Sequence, residues 1–351
     1  MRKIVFESAP QQGTIRPTTA TKRQPKTEPF VIREEKYSKL LDALLELKKL
    51  SAEQLTRRFY NAGSLTTVKN RMTRLEGHHF VDHDTLSQGK YLYFLARKGR
   101  DYFQEAEEDV KDYFRPSTEK GPANTEHYHQ LLHLLELNDI LIAARLLPKY
   151  APAYSLPDLL HDYDLRRSPL FVMAERMIRK RIDGVVKTEW KEEPVGVVAD
   201  AMLGFVRTPS RIPGKPYDRM CIWHEHNRTG GAQRFKQKIR AILEVIGSGV
   251  YKQLIDIDAI KVAITTSKGE FRKRSLRRWT EEVLEERSQK EKGTAFSQQA
   301  RKIDRAYDPR NIFYFAATPP FETGCIVPRA FYQGKVWFKP FSTKPVVLLP
   351  K

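Results

Sequence analysis

Asp200, Glu225 and Lys238 are the residues of this chain whose types and spacing could do chemistry together. Asp200 lies in an apolar run from Val195 to Val206, and Glu225 closes the next run, which starts at Met220. Two adjacent strands would bring these carboxylates side by side. After Gly230 and Gly231 a helix begins, with Phe235, Ile239, Ile242, Leu243 and Ile246 at helical spacing. Lys238 lies on it, with Lys236 as the second choice. Two carboxylates can hold Mg²⁺ while a nearby lysine stabilises charge or orients the attacking water. That is the pattern of metal-dependent phosphodiester hydrolysis. Asn227 is a further candidate metal ligand through its carbonyl oxygen, which adds no negative charge. The plainer reading of Glu225 is a strand-end carboxylate that pairs with Arg228 or Lys238. The Gly pair is either a helix entry or an anion site of backbone N–H groups. No Gly-x-x-x-x-Gly-Lys-Ser/Thr run is present, which argues against an ATPase.

A second set of chemical residues is His127, His129 and His133, on a long amphipathic helix that also holds Asn138 and Asp139. Two histidines around one residue can hold a metal on a strand, where positions i and i+2 share a face. On a helix the same two diverge by roughly 200°. His129 and His133 share a helix face but lack an evident third ligand, so these histidines read as packed or solvated.

Elements must position these groups. The second half reads in the order strand, strand, helix, strand, helix, strand, with the last two strands at Ile260–Ile264 and Ile312–Ala316. Residues 148–193 read as Pro- and charge-rich and then helical. Their basic cluster, Arg176, Arg179, Lys180 and Arg181, reads as a solvated helix face, or alternatively as contacts to a nucleic-acid backbone. Residues 268–278 read as a basic loop opening a helix, with six basic residues against one acid. Arg272, Lys273, Arg274, Arg277 and Arg278, with Trp279 beside them, fit phosphate contact and base stacking. Pairs with the acids that follow are the other reading. The tail from Cys325 to Lys351 reads as β-like, placed to cover a sheet edge.

The first half has a different grammar. Residues 34–50 form a helix with acids at its start and Lys48 and Lys49 at its end. Ser51 caps a short second helix. Ser64 caps a third, in which Leu65, Val68, Met72 and Leu75 make the buried stripe. Two short strands, Phe80–Asp82 and Tyr91–Phe94, follow around a polar tip, and then a helix from Ala96 to Glu108. This is the order of a winged helix-turn-helix, whose third helix reads the major groove. Thr66, Lys69, Asn70 and Arg74 on that helix, and Lys90 at the wing, are the candidate DNA contacts. The basic groups suit phosphate or guanine, and Asn70 suits adenine.

Composition sets the bounds. The chain has 351 residues and 40% apolar residues, enough for two or three domains with real cores. Its net charge of +19 favours a polyanionic partner, most often nucleic acid. Two cysteines, Cys221 and Cys325, are too few for a disulfide framework or a four-cysteine zinc site. No apolar run approaches a membrane span, and the N-terminus lacks a signal-peptide pattern. A cytoplasmic protein with no membrane partner is expected.

His127 through Asp139, Ala199-Asp200-Ala201, Glu225-His226-Asn227-Arg228-Thr229 and Lys238-Ile239 together resemble the replication-relaxation proteins of plasmids and other mobile elements. The resemblance spans roughly residues 35–265. It implies an α+β chain: an N-terminal winged helix-turn-helix followed by a restriction-endonuclease-like α/β domain of the PD-(D/E)xK type. The implied organisation is a flexible basic arm at 1–33, a winged helix at 34–114, a linker at 115–125 and a nuclease-like domain with a helical lead-in at 126–351. Two departures stand out. Ala199 replaces a proline, and Asn227 replaces an acid or lysine, so that Lys238 must serve. The implied function is a DNA-binding protein in replication, relaxation or mobilisation, with double-stranded DNA and replication or mobilisation proteins as partners. Self-association into a homo-oligomer is compatible with it. The alternatives are an active Mg²⁺-dependent endonuclease or nickase, and a winged-helix transcriptional regulator.

Overall fold

The computed structural model describes residues 35–59, 62–86, 89–104, 125–182, 185–254, 257, 259–292, 308–321 and 323–351. The arm at 1–33 lies outside the described residues, as does all of the linker at 115–125 except its last residue. The chain is mixed α+β and divides into two compact units, Met1–Thr118 and Glu119–Lys351.

The first unit runs α1 (Glu35–Leu47), β1 (Leu50–Ser51), α2 (Ala52–Phe59), α3 (Leu65–Gly77), β2 (Val81–Thr85), β3 (Tyr91–Leu95) and α4 (Arg97–Gln104). Its three strands pair antiparallel in the order β1-β3-β2. Leu40, Leu41, Leu44 and Leu47 of α1 are buried, as are Leu55, Val68, Met72, Leu75 and Leu92. Helix α1 ends at Lys48, whose φ of 67° puts it in the left-handed region that stops a helix. Ser51 caps α2 reciprocally with Gln54: the Gln54 amide donates to Ser51 Oγ at 3.2 Å and the Ser51 amide to Gln54 Oε1 at 3.1 Å. Ser64 makes no side-chain cap, because a 3-10 turn, Ala62–Ser64, runs straight into α3. Strand β1 is only two residues long and carries no sequence pattern of its own.

The second unit runs α5 (Thr125–Tyr150), β4 (Tyr154–His161), α6 (Asp162–Arg167), β5 (Leu170–Ile182), β6 (Val185–Val197), β7 (Ala201–Arg207), β8 (Asp218–His226), α7 (Ala232–Ser248), β9 (Ala259–Thr266), α8 (Gly269–Lys292), α9 (Pro309–Ile312), β10 (Phe313–Ala317), α10 (Pro328–Gln333), β11 (Trp337–Phe338) and β12 (Pro345–Val346). Seven strands form one sheet in the order β12-β11-β10-β9-β8-β7-β4. Strands β4, β7 and β8 are an antiparallel meander; β9 and β10 then add parallel to β8. The parallel step from β8 to β9 crosses through α7, as parallel neighbours require. Met202, Cys221, Trp223, Val262, Ile264, Phe313 and Phe315 of the sheet share a core with Phe235, Ile239, Ile242 and Ile246 of α7 and Leu276 and Val283 of α8. Gly249 ends α7 at φ 72°, a conformation that an L side chain would strain.

Three expectations are corrected. The run from Val195 to Val206 is two strands. Val195 and Val197 pair with β5 in a separate two-stranded ribbon, while Ala201 onward pairs with β4 and β8, so Asp200 sits at the bend between them. Residues 170–182 and 185–197 are that ribbon and not a helix. An Asp183-Gly184 hairpin signal between two β-rich runs is the feature that outweighs the helical spacing. Residues 269–278 are the first turns of α8 rather than a loop. The tail does cover the sheet edge, with β11 antiparallel to β10, yet its longest element is the helix α10. Among the described residues, no helix is long and apolar enough to cross a membrane.

Candidate active site

Strand parity builds the site. Ala201 pairs with His224 in the antiparallel register of β7 and β8, so one step further Asp200 comes opposite Glu225. The Asp200 amide donates to the His224 carbonyl at 3.1 Å, continuing the ladder past the end of β7. On β8, Trp223 lies in the core shared with α7, and Glu225, two residues on, shares its face. Trp223 Nε1 donates to Glu225 Oε1 at 2.8 Å. Helix α7 then lays Lys238 over this end of the sheet. Its Nζ lies 3.8 Å from Asp200 Oδ1 and pairs directly with Glu225 Oε2. Two carboxylates from neighbouring strands thus meet one ammonium from the following helix. Lys236, roughly 200° away around α7, instead pairs with Glu282 of α8 at 2.5 Å.

The two carboxylates differ. Burial works against charge on Asp200, but Lys238, His133 and the His226 amide override it and hold the group well below the usual carboxylate range. That amide donates to Asp200 Oδ2 at 2.7 Å, and His133 Nε2 lies 3.7 Å from the same oxygen. Glu225 is pushed up to about 7, chiefly by burial and further by the Asp200 charge, against the pull of Lys238. Two acids that share one cation cannot both ionise freely, so the one with fewer donors takes the proton more readily.

The opposite face of β8 carries a second polar cluster. Glu136 of α5 is buried, and its Oε2 accepts from His226 Nε2 at 2.9 Å and Ser267 Oγ at 2.7 Å. Arg228 Nε lies 2.9 Å from the same oxygen. Burial opposes the Glu136 charge, but these donors outweigh it and hold the carboxyl below its ordinary value. Thr265 Oγ1 of β9 lies 2.9 Å from both His226 Nδ1 and His224 Nε2. With both imidazoles neutral the chain closes in one sense: His224 Nε2–H to Thr265, the Thr265 hydroxyl to His226 Nδ1, and His226 Nε2–H to Glu136. Burial pushes both histidines below the usual imidazole range, His224 to about 3.

His133 is half-buried at this site, its ring 5.5 Å from that of His226, rather than a bystander. The side chains of His127 and His129 lie outside the described residues. Asn227 is engaged elsewhere: its Oδ1 accepts from Arg272 at 2.5 Å, and Arg272 also donates to the Gly230 carbonyl and lies over the Trp279 ring. Lys273 is buried, paired with Glu270 at 2.7 Å and set over Phe338. Arg277 donates to the Ser342 carbonyl at 3.0 Å. Arg274 and Arg278 face outward, Arg278 with Glu282 at 3.6 Å. In the first unit, Thr66, Lys69, Asn70 and Arg74 all lie on the exposed face of α3, and Lys90 is half-buried just before β3.

Sequence reading missed Glu136, Thr265 and Ser267, and gave Arg228 as a partner for Glu225, whereas it and His226 meet Glu136. The available signal was the polar set His133, Glu136, Asn138 and Asp139 inside an otherwise apolar helix. A buried polar residue on such a helix needs partners, and partners at the end of a sheet mark a site. Comparison with known proteins returned no match from family models, curated proteins or solved structures.

Proposed function

We propose that this chain binds duplex DNA and that its second unit carries a divalent-metal centre for phosphodiester cleavage, used in replication, relaxation or mobilisation of a plasmid or similar element. The observation that carries this reading is the convergence of Asp200 and Glu225 on the single cationic point occupied by Lys238 Nζ. The meander β4-β7-β8, the crossover α7 and the parallel β9 support a restriction-endonuclease-like domain. The order of α1, β1, α2, α3, β2 and β3, with a polar exposed α3, supports a winged helix.

The donors fit Mg²⁺, which takes one or two carboxylates from protein and keeps most of its water. Asp200 and Glu225 would hold it, with Asn227 and Glu136 committed to other partners. Bound there, the ion would polarise a phosphate oxygen and acidify a water. Lys238 would place its charge beside the reacting phosphate, and the His226 amide would keep Asp200 oriented. Glu136 acts through His226 and is a positioning residue.

Incubating the purified chain with supercoiled and linear DNA, with Mg²⁺ or Mn²⁺ and with chelator, tests this. Asp200→Ala should abolish metal-dependent cutting and leave DNA affinity intact. A second reading, a DNA-binding protein without cleavage, is favoured by the direct Lys238–Glu225 pair, in which the lysine already neutralises the acid. It stands if DNA binds but no metal supports a cut.

A further inference from the structure

The ribbon β5–β6 belongs to no part of the site, and its charges are arranged oddly. Its 13 residues per strand pair rung by rung from Leu170↔Val197 to Ile182↔Val185. Among the described residues, the root joins the core: Leu170, Val172 and Val197 pack in the cluster that holds α7. At about 3.4 Å per residue the ribbon reaches about 40 Å, longer than the ~34 Å of one duplex turn. Asp200 follows the last ribbon residue by three positions, so the root of the ribbon adjoins the Asp200 site.

Register sorts the charges by distance from the root. The two rungs Ala174↔Glu193 and Glu175↔Glu192 are acidic. Beyond them, Arg176 pairs with Lys191 and Lys180 with Lys187, both like-charged and directly opposite. Arg179 and Arg181 add to the same outer part, where Glu189 is the lone acid on the strands. Like charges directly opposite across a ribbon are destabilising. A ribbon that served only itself would pair opposite signs. Two basic rungs in one outer segment suit an external polyanion.

We propose that the outer ribbon, through Arg176, Arg179, Lys180, Arg181, Lys187 and Lys191, is an arm that follows the phosphate backbone of duplex DNA. This rests on the reading of the chain as a DNA-acting protein. The contact is with phosphates and therefore independent of sequence. Each phosphate neutralised contributes about 0.9 to the slope of log K against log salt on duplex DNA.

The test uses the full chain and a duplex several turns long, with anisotropy titrations over a salt series. Lys180→Gln with Lys187→Gln should lower the slope by about 1.8. Neutralising all six should lower it by up to about 5. Arg176→Lys, Arg179→Lys and Arg181→Lys together should keep it, because charge alone is required. The double variant removes a repulsive rung and so keeps the decision open if the six-fold variant fails to fold. An unchanged slope in a folded double variant overturns the arm. Aggregation of that variant without a slope change also overturns it, since the lysines would then be guarding strand edges. If the parent chain binds no duplex, the DNA reading falls and the arm with it; if the parent binds and the ribbon variants match it, the arm alone falls.

Discussion

Helices α3 and α8 carry similar residues, basic and polar groups at close spacing, yet the fold commits them differently. On α3, Thr66, Thr67, Lys69, Asn70, Thr73 and Arg74 face solvent while Val68, Met72 and Leu75 hold the core. On α8, Lys273 is buried against Phe338, Arg272 braces Asn227 and Gly230, and Arg277 reaches the Ser342 carbonyl. A charge that satisfies internal carbonyls stabilises the fold and has little left for a partner. The same logic separates Glu136, which has Arg228 and two further donors on one oxygen, from Asp200 and Glu225, which share the single ammonium of Lys238. Stability and DNA affinity should therefore respond to different residues.

The largest effect should come from Glu136→Ala. Removing one partner of a buried charged network costs about 3–5 kcal/mol, because Arg228 loses its counter-charge and His226 and Ser267 their acceptor. Urea unfolding of the second-unit transition reads this; a loss under about 1 kcal/mol would show that water replaces the carboxylate.

Acid should act through the same cluster. His224 is held neutral to about 3, and an unfolded imidazole binds its proton near 6.5. Between these values the unfolded chain binds more protons than the native one, so stability falls as pH falls through that window. The slope is at most about 1.4 kcal/mol per pH unit for this group, and His226, also lowered, adds to it. His133 is raised, after burial is overcome by Asp200, and so works the other way: its contribution is present below 6.5 and lost as pH rises through its folded value. His224→Gln should flatten the acid limb of a stability curve; an unaltered limb would assign it to other groups.

Arg272→Ala should cost about 1–3 kcal/mol through the lost bonds to Asn227 and Gly230. It should leave the DNA salt slope in place. A slope change of about 0.9 with little loss of stability would reverse the contrast between the two helices.

How much of this was legible in sequence follows from range. Glu225 and Lys238 could be placed because a local apolar run fixes the parity of β8 and local helical spacing separates Lys238 from Lys236, whereas Asp200 was read within a strand and lies at the bend before β7. The α3 face was legible for the same reason. The partners of Glu136 are 90 to 131 positions away, and no local pattern records them. The fate of the α8 arginines depends on Ser342, 65 residues on, and on a turn 42 to 45 residues back. The ribbon was misread because the charged strands of a two-stranded sheet lack the alternation that marks a half-buried strand.

Lys69→Ala, Asn70→Ala and Arg74→Ala together should leave stability within about 0.5 kcal/mol, as exposed substitutions do. Arg74 has one long contact to lose, to the Tyr37 hydroxyl at 3.5 Å. Duplex affinity should fall, with the salt slope lower by about 1.8 if both cations touch phosphate. Asn70→Ala alone should narrow the preference among base sequences by about 1–3 kcal/mol. Tight binding by the triple variant at physiological salt would remove α3 from the groove.

The smallest effect is the sharpest discriminator. Arg274 and Arg278 are four residues apart, share one face of α8, and are the outward members of its basic cluster. Arg278 lies 3.6 Å from Glu282, and an exposed i,i+4 pair of this kind contributes about 0.3–0.5 kcal/mol. Replacing both arginines by alanine should therefore barely move the unfolding midpoint. If α8 touches DNA at all, these two carry the contact, and the salt slope should fall by about 1.8. If the slope holds, α8 serves the interior alone, and duplex affinity rests on α3 and the ribbon. Glu282 adds a further check, because it also takes Lys236 at 2.5 Å. Glu282→Gln frees Arg278 and Lys236 at once, so a helix that meets phosphate should then bind duplex more tightly, whereas a helix that does not should show only a small loss of stability.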